Sequence, residues 1–267
     1  MNQGLNQKYA ELKNSIKKLG NAIVAFSGGV DSALVLKVAH DALGDKVVAV
    51  TADSLSLARR ELEETGKIAQ KIGAKHLIIN TEEAENRDYL ENSSSRCYHC
   101  KSELYAKLKI VSKQLGIKNI LNGTNFDDLS DYRPGLKAAD ENNIISPLKD
   151  AKLAKNEIRE LAENLGLEIW DKPSSPCLSS RVPYGQEITL KKLSMIEGTE
   201  AFLKDFGIRE LRVRHFGSTA KIEVNEGDKS IINDNFYLIE KKFNEIGFKE
   251  IIISNFKSGN LNLMVNQ

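Results

Sequence analysis

In Ala22-Ile-Val-Ala-Phe-Ser-Gly-Gly-Val-Asp-Ser32, a short apolar run leads into a glycine-rich turn and then into residues with helical spacing, which indicates the start of an α/β fold. Two glycines at a strand-to-helix turn let the backbone approach an anion, and the first amides of the new helix favour negative charge there. No Gly-Lys-Ser/Thr sequence follows, so this is not a Walker-type loop. The stretch predicts a phosphate-binding turn after a first buried strand.

Polar side chains in this turn fit phosphate binding. Ser27 and Ser32 supply hydroxyl donors beside Gly28 and Gly29, and Asp31 can hold a metal ion on the phosphates. The alternative is a helix cap without a ligand. The position at the first junction of a strand and a helix favours the phosphate-binding interpretation, because open α/β sheets bind ligands at such junctions.

Short apolar runs alternate with amphipathic stretches through the first half of the chain. Strands are predicted at residues 22–26, 46–52, 76–80 and 119–122, and helices at residues 31–43, 57–72, 100–115 and 155–165. This alternation predicts an α/β fold, in which a mostly parallel sheet carries helices on both faces.

A proline- and serine-rich stretch at residues 172–185 separates the two halves, and we expect it to be an extended connection without regular structure. Beyond it, helices are predicted at residues 190–206 and 229–247, and strands at residues 210–215, 220–224, 250–254 and 261–265. Because these strands come in adjacent pairs, they predict a small α+β domain with antiparallel pairing. The first domain is therefore assigned to residues 1–175 and the second to residues 186–267.

Composition excludes several classes of protein. The 267 residues hold 38 Lys and Arg and 37 Asp and Glu. The resulting net charge of +1 argues against electrostatic binding of nucleic acid over a large surface. Hydrophobic residues make up 41%, as in an ordinary globular protein, and the longest apolar run, residues 22–26, is far too short to span a membrane. The first residues lack the apolar core of a secretion signal, so we expect a cytoplasmic protein.

The three cysteines are too few for a disulfide framework and need another explanation. Cys97 and Cys177 are expected in loops and Cys100 at a helix start, where the helix dipole favours the thiolate. Three thiolates without a fourth ligand fit an iron–sulfur cluster in which one iron has no protein ligand. That iron can hold an extra sulfide, which would then be available for transfer to a substrate. The alternatives are a zinc site with His99 as fourth ligand, or a Cys97/Cys100 redox pair beside a packed Cys177.

Two further segments follow predicted strands: residues 51–54 after the second and residues 123–128 after the fourth. Their polar side chains could serve merely as helix caps. Together with SGGVDS, however, they resemble the PP-loop ATP pyrophosphatases, which have the adenine nucleotide alpha hydrolase-like fold and cleave ATP to AMP and pyrophosphate. The resemblance implies that ATP, with Mg²⁺, binds at these turns to Ser27, Gly28, Gly29, Asp31, Ser32, Asp53, Gly123, Asn125 and Asp128.

Four longer motifs resemble the LarE family of sulfur transferases, in order along both domains: RCYHCK, RPGLKAADE at residues 133–141, KPSSPCLSSRVPYG and RVRHFG at residues 212–217. The resemblance implies that the carboxylates of pyridinium-3,5-biscarboxylic acid mononucleotide are adenylated and become thiocarboxylates, for the nickel-pincer cofactor of lactate racemase. It also implies catalytic roles for Asp31 and Cys177. One branch of the family sacrifices a single cysteine, matched by Cys177, and leaves dehydroalanine. The additional Cys97 and Cys100 favour the other branch, in which three cysteines hold a 4Fe–4S cluster.

Arginines and acids in the second half complete the predicted site. Arg212 and Arg214 are two positions apart on a strand and so share one face, where paired guanidinium groups suit a phosphate monoester. A solvated basic strand face is the alternative. Ser180 and Arg181, just after the last cysteine, are assigned to the same substrate phosphate through the resemblance. In the family pattern, two acids look like metal-site or substrate-site residues, although they could equally be surface carboxylates: Glu200 and Glu223.

Other functions remain open on the sequence. A tRNA thiolase also combines a PP-loop, three cysteines and a cluster, but the near-zero charge and the lack of an RNA-binding appendage argue against it. An amidating enzyme of the NAD or GMP synthetase kind would leave the cysteines unexplained. An ATP-sensing module without chemistry would release pyrophosphate slowly or not at all. The expected partners are a small mononucleotide and, from the family resemblance, further copies of the chain.

Overall fold

The computed structural model describes residues 2–130 and 134–256. Contacts divide the described chain into two compact units, one formed by the residues up to Glu83 together with Cys97–Ser174, the other by Ala84–Arg96 together with the residues from Ser175 onwards. The prediction of two continuous domains therefore differs from this division at Ala84–Arg96. These residues belong to the second unit because they hydrogen-bond to the segment at residues 179–188.

The elements are numbered in chain order. The strands are β1 (Ala22–Ala25), β2 (Val47–Asp53), β3 (Lys75–Asn80), β4 (Ile120–Leu121), β5 (Leu211–Phe216), β6 (Thr219–Val224) and β7 (Glu250–Asn255). The α-helices are α1 (Gln3–Lys17), α2 (Val30–Leu43), α3 (Arg59–Ile72), α4 (Arg87–Leu90), α5 (Arg96–Leu115), α6 (Pro134–Glu141), α7 (Pro147–Asp150), α8 (Lys155–Asn164), α9 (Leu190–Lys204), α10 (Lys229–Asp234) and α11 (Phe236–Ile246).

In the first unit, the strands form a parallel sheet in the order β3-β2-β1-β4, which confirms the predicted α/β fold. Alternate residues of β1 point to opposite faces of the sheet and pack into two different hydrophobic clusters. Ala22 and Val24 pack with Leu34 of α2, whereas Ile23 packs with Leu108 of α5. Helices therefore cover both faces of the sheet, and the loops at the carboxyl ends of the strands are left for ligands.

In the second unit, a three-stranded sheet in the order β5-β6-β7 packs against helices, which confirms a small α+β unit. The prediction of antiparallel pairing is right for β5 with β6 and wrong for β7, which runs parallel to β6. The reason is that the helices between β6 and β7 return the chain to the end of the sheet where β6 began, so that β7 starts there and runs in the same direction. The strand predicted at residues 261–265 lies outside the described residues.

Two further details differ from the predictions. The helix predicted at residues 229–247 is interrupted at Asn235, whose backbone is non-helical (φ −111°, ψ 13°) because Asp and Asn favour caps over helix interiors. The connection at residues 172–185 contains a short 3-10 turn, Leu178–Arg181, which begins with a hydrogen bond from the Ser180 N–H to the Cys177 carbonyl. Among residues 2–130 and 134–256, none of the helices has the length and hydrophobicity needed to cross a membrane.

Candidate active site

The phosphate-loop turn lies between β1 and α2 of the first unit. The Ser32 hydroxyl accepts a hydrogen bond from the Ser27 N–H (3.3 Å) and donates one to the Gly29 carbonyl (3.0 Å). These two hydrogen bonds hold the end of the turn to its beginning, so the turn is closed. Gly28 has a φ of +74°, and a Cβ there would lie 2.9 Å from Thr65 Cγ2, so glycine is required. The turn thus leads the chain directly into the first amides of α2, as anion binding requires.

The turn after β4 packs on the start of α2. A Cβ on Gly123 would lie 2.7 Å from the Ser32 backbone nitrogen, so only glycine permits this approach. The Asn125 side-chain amide donates to Asp31 Oδ1 at 3.3 Å. Asn125 and Asp128 also exchange backbone-to-side-chain hydrogen bonds of 3.0 and 3.2 Å. The structure therefore brings these predicted ATP residues together at the ends of β1 and β4.

Lys155 supplies a cation to this group, and sequence reasoning did not find it. Its ammonium is paired with Asp31 Oδ2, and its backbone N–H donates to Asp127 Oδ2 at 2.8 Å. The one signal in the sequence is that Lys155 begins a helix, where the helix dipole disfavours a cation unless an anion is near. That anion lies 124 residues earlier in the chain, so no local pattern identifies it.

Asp53, the third predicted strand-end position, closes β2 and pairs with Arg59. Arg59 also donates to the carbonyl oxygens of Ser54 and Leu57, both at 2.9 Å. These contacts tie Asp53 into the turn that follows β2, and its role toward ATP remains a prediction.

Lys172 places a second ammonium beside the phosphate loop. Its Nζ lies 2.7 Å from a carboxylate oxygen of Glu61, 2.7 Å from one of Glu64, and 3.5 Å from the Gly28 carbonyl. Burial opposes the charge, but hydrogen bonds to the two glutamates outweigh burial and raise the pKa of Lys172 above its ordinary value. The ammonium therefore stays charged next to the loop.

Cys177 lies in the second unit at the start of the short 3-10 turn, with its side chain exposed. Beside it, Arg181 is almost fully buried and donates to the carbonyl oxygens of Pro176 (2.6 Å) and Cys177 (3.1 Å). The same guanidinium binds both carboxylate oxygens of Glu200, at 2.8 and 3.1 Å. Glu200 also accepts the Val213 N–H at 2.9 Å, so the backbone at Cys177 is linked through Arg181 and Glu200 to β5.

Arg212 and Arg214 stand at alternate positions of β5 and have different surroundings. Arg214 Nε lies 2.8 Å from Glu223 Oε1, with both side chains buried, and its Nη1 donates to the Ser180 carbonyl at 3.2 Å. The Arg212 guanidinium lies over the ring of Phe256, 4.6 Å from its centroid, and has no hydrogen bond or ion pair with residues 2–130 or 134–256. The half-buried Arg212 guanidinium is therefore the one that retains its donors for a ligand.

The groups around Arg212 carry more positive than negative charge. Burial, reinforced by the charges of Arg181 and Arg214, lowers the pKa of Arg212, while Glu223 and Glu200 act in the opposite direction. Three guanidinium groups thus share two carboxylates, and a guanidinium remains protonated in proteins. Arg181 binds both carboxylate oxygens of Glu200, and Arg214 contacts Glu223 Oε1, so both acids contact arginines; their role toward a metal ion or the substrate remains a prediction.

Cys97 and Cys100 both lie in α5, which begins at Arg96, so the expectation of a loop at Cys97 is wrong. A spacing of three residues places the two half-buried thiols on the same face of the helix. Cys177 belongs to the other unit. In the part of the chain that the structure describes, no group of three or more His, Cys, Asp or Glu side chains is arranged to hold a metal ion.

The motif at residues 133–141 is described from Pro134, which begins α6. A Cβ on Gly135 would lie 3.1 Å from Lys101 Cγ and 3.7 Å from the Cys97 carbonyl, so α6 packs closely on the first turns of α5. The Tyr98 hydroxyl donates to Glu141 at 2.6 Å, and this hydrogen bond raises the pKa of Tyr98. Two motifs that are separate in sequence, RCYHCK and RPGLKAADE, therefore lie side by side.

Comparison with known proteins identifies the family. The pyridinium-3,5-bisthiocarboxylic acid mononucleotide synthase of Lactiplantibacillus plantarum, a LarE protein, is 35% identical over 265 residues, which cover 97% of this chain and 95% of that protein. The chain belongs to the LarE family. The family model of the queuosine biosynthesis protein QueC also matches residues 21–95, which include the phosphate loop.

Two uncharacterised proteins are similar to this LarE-family chain over nearly their full lengths. One, from Synechocystis, is 41% identical and covers 98% of this chain and 100% of its own length. The other, from Methanocaldococcus jannaschii, is 32% identical and covers 93% and 96%. As a member of the LarE family with a PP-loop, the chain is an enzyme of the sulfurtransferase type.

Proposed function

We propose that this enzyme uses ATP to insert sulfur into the carboxylates of pyridinium-3,5-biscarboxylic acid mononucleotide. The name of the Lactiplantibacillus relative supports the thiocarboxylate product. The observation that carries the proposal is the exposed Cys177, whose backbone is held by Arg181 inside a buried arginine cluster. A sulfur-bearing side chain beside an anion site fits sulfur transfer to an anionic substrate.

The first step activates the carboxylate. A carboxylate oxygen attacks the α-phosphorus of ATP, the bond to the β-phosphate oxygen breaks, and pyrophosphate leaves. The closed turn at residues 27–32 and the amides of α2 would bind the phosphates. Asp31, supported by Asn125, would hold Mg²⁺, which must then replace the Lys155 ammonium on Asp31. A hard carboxylate oxygen is a suitable ligand for this ion.

The second step replaces oxygen by sulfur. A sulfur nucleophile attacks the carbonyl carbon of the acyl adenylate, and AMP leaves with the former carboxylate oxygen. Cys97, Cys100 and Cys177 would hold the proposed 4Fe–4S cluster, and their thiolates are the donors that such a cluster needs. When bound, the cluster supplies sulfide. The shared helix face of Cys97 and Cys100 supports this route, which also requires Cys177 from the second unit to complete the ligand set.

The sacrificial route is the alternative. There, Cys177 Sγ attacks the acyl adenylate and AMP leaves, which gives a thioester. Loss of the Cα proton then breaks the Cβ–Sγ bond, so the thiocarboxylate departs and dehydroalanine remains. This route uses the exposed Cys177 alone and assigns no role to Cys97 or Cys100.

Substrate recognition is assigned to the arginine cluster. Arg212 would bind the phosphate monoester, since its donors have no partner among residues 2–130 and 134–256, and Ser180 would contribute its hydroxyl. Arg181 and Arg214 add positive charge while they hold the backbone near Cys177. We propose that Glu200 and Glu223 orient these two arginines. A cytoplasmic location and homo-oligomers remain predictions.

The proposal is tested by incubating the protein anaerobically with ATP, Mg²⁺, sulfide and the dicarboxylate mononucleotide. We expect AMP, pyrophosphate and a thiocarboxylate, all dependent on the mononucleotide. ADP and orthophosphate would contradict the activation step. AMP release that depends on tRNA instead of the mononucleotide would favour the thiolase alternative, and an amide formed with ammonia would favour the synthetase alternative.

A further inference from the structure

Residues 84–96 form hydrogen bonds with the segment that follows Cys177, and all of these hydrogen bonds lie inside the second unit. Tyr89, Asn92 and Arg96, which we name the clamp, are almost completely buried. The Tyr89 hydroxyl lies 2.6 Å from Ser179 Oγ, and Arg96 Nη1 donates to the Ser179 carbonyl at 3.0 Å. The clamp therefore holds both the side chain and the backbone of the residue two positions after Cys177.

Asn92 is the centre of the clamp. Its side-chain amide donates to three carbonyl oxygens, those of Val182 (3.3 Å), Pro183 (2.8 Å) and Gln186 (2.9 Å), and its carbonyl side accepts from Arg96. Its backbone has a φ of +54°, a conformation that Asn adopts more readily than other residues with side chains. One buried side chain thus connects Arg96 to the end of the segment.

Arginines take up most of the carbonyl groups around Cys177. Arg181 binds the carbonyls of Pro176 and Cys177, Arg96 binds that of Ser179, and Arg214 binds that of Ser180. The backbone is therefore fixed before and after Cys177, while the Cys177 side chain itself remains exposed. These contacts restrict the backbone conformation that sets the direction of the Cys177 side chain.

We infer that Tyr89, Asn92 and Arg96 are positioning residues, which hold the Cys177 turn so that sulfur meets the activated carbonyl carbon rather than solvent. This inference rests on the proposed function. A misplacement of about 1 Å can cost a reaction about 100-fold, so loosening the turn should reduce sulfur transfer strongly. The adenylation residues 27–32 are in the first unit, so adenylation at saturating mononucleotide should not depend on the clamp.

The test measures thiocarboxylate and pyrophosphate in the same single-turnover assay, in the full chain with ATP, Mg²⁺, sulfide and a saturating concentration of the dicarboxylate mononucleotide. Tyr89→Phe removes one hydroxyl without a change of shape and should lower thiocarboxylate formation about five- to tenfold, as expected for one lost hydrogen bond to a buried partner. Arg96→Met should lower it about 100-fold. Arg96→Lys keeps a donor for the Ser179 carbonyl and should recover part of the loss.

The decisive readout is the ratio of pyrophosphate to thiocarboxylate in the first turnover. Pyrophosphate release should stay within about twofold of wild type in these variants, because pyrophosphate leaves when the acyl adenylate forms, before sulfur attacks. Tyr105→Phe is the matched control, since Tyr105 is an equally buried tyrosine of the first unit, and its ratio should match wild type.

The outcomes separate the two proposals. A wild-type enzyme that forms no thiocarboxylate overturns the proposed function itself. If wild type forms it and Tyr89→Phe leaves the ratio unchanged, or if pyrophosphate and thiocarboxylate fall together in both Tyr89→Phe and Arg96→Lys, the clamp is structural only and the inference is wrong.

Discussion

The two units build their candidate sites from different parts of the chain, one mainly from backbone and the other from side chains. In the first, the candidate ATP site is built largely from backbone at strand ends: a self-closed turn at residues 27–32 and a glycine, Gly123, that allows close approach. In the second, the candidate substrate site is built from buried side chains of separate segments, such as Arg181 with Glu200. A backbone site can be recognised in a contiguous stretch of sequence, whereas a side-chain site depends on which distant residues meet.

The largest expected effect comes from the cysteines, which are divided between the units. We expect Cys97→Ala, Cys100→Ala and Cys177→Ala to form no detectable thiocarboxylate and to be equally poor in iron after anaerobic purification, because a cluster needs all three thiolates. Iron and sulfide analysis, an absorption spectrum and the intact mass after turnover check this. The mass should show Cys177 unchanged.

A different pattern would support the sacrificial route. If Cys97→Ala remains active and the intact mass falls by one H₂S at Cys177, the cluster is wrong. Each polypeptide would then turn over once, and added sulfide would not restore activity.

Asp31 tests the first unit. Asp31→Asn should slow pyrophosphate release about 100-fold, because a metal ion supplies several kcal/mol of transition-state stabilisation and each 1.4 kcal/mol is a factor of ten. Stability should change by no more than about 1 kcal/mol, as for ion pairs near the protein surface. Asp41→Asn is the control in the same helix, since Asp41 also pairs with a lysine, Lys37. Equal effects of the two substitutions would show that Asp31 has only a structural role.

The arginines of β5 test the second unit, and the structure separates them. Arg212→Ala should weaken binding of the mononucleotide about 10- to 150-fold through one lost charge-assisted contact, with ATP binding and stability unchanged. Arg214→Ala should also destabilise the protein by about 3–5 kcal/mol, because Glu223 would lose its buried partner. Calorimetry and urea unfolding measure both quantities, with the exposed Arg209→Ala as control.

If mononucleotide affinity survives Arg212→Ala, the solvated strand face is the correct interpretation of β5. If Arg214→Ala leaves the free energy of unfolding unchanged, the buried pair with Glu223 does not contribute to the stability of the second unit.

The histidines give the smallest expected effect. Burial lowers the pKa of His76 in the first unit and of His215 in the second, where the charge of Lys192 lowers it further. The unfolded chain then binds more protons than the folded one, so stability should be constant above about pH 6.5 and fall slightly as the pH drops below it. Urea unfolding at several pH values measures this. His76→Gln and His215→Gln should each flatten the pH dependence, and an unchanged profile in both would contradict it.

The sequence predicts the first unit better than the second, for a physical reason. The turn at residues 27–32 and the parallel sheet follow from short-range patterns of glycine and apolar residues. The direction of β7 and the different roles of Arg212 and Arg214 depend instead on strand pairing and on carboxylates elsewhere in the chain. Lys155 illustrates the same limit in the first unit, since its partner Asp31 is distant in sequence.

The most direct test of sulfur insertion through an acyl adenylate uses the mononucleotide with ¹⁸O in its carboxylates, together with ATP, Mg²⁺ and sulfide. The carboxylate oxygen that attacks ATP should leave on AMP, so AMP should carry ¹⁸O and the product should carry sulfur in its place. AMP without ¹⁸O, formed while the mononucleotide keeps all of its oxygen, would show that water cleaves ATP and would contradict the proposed reaction.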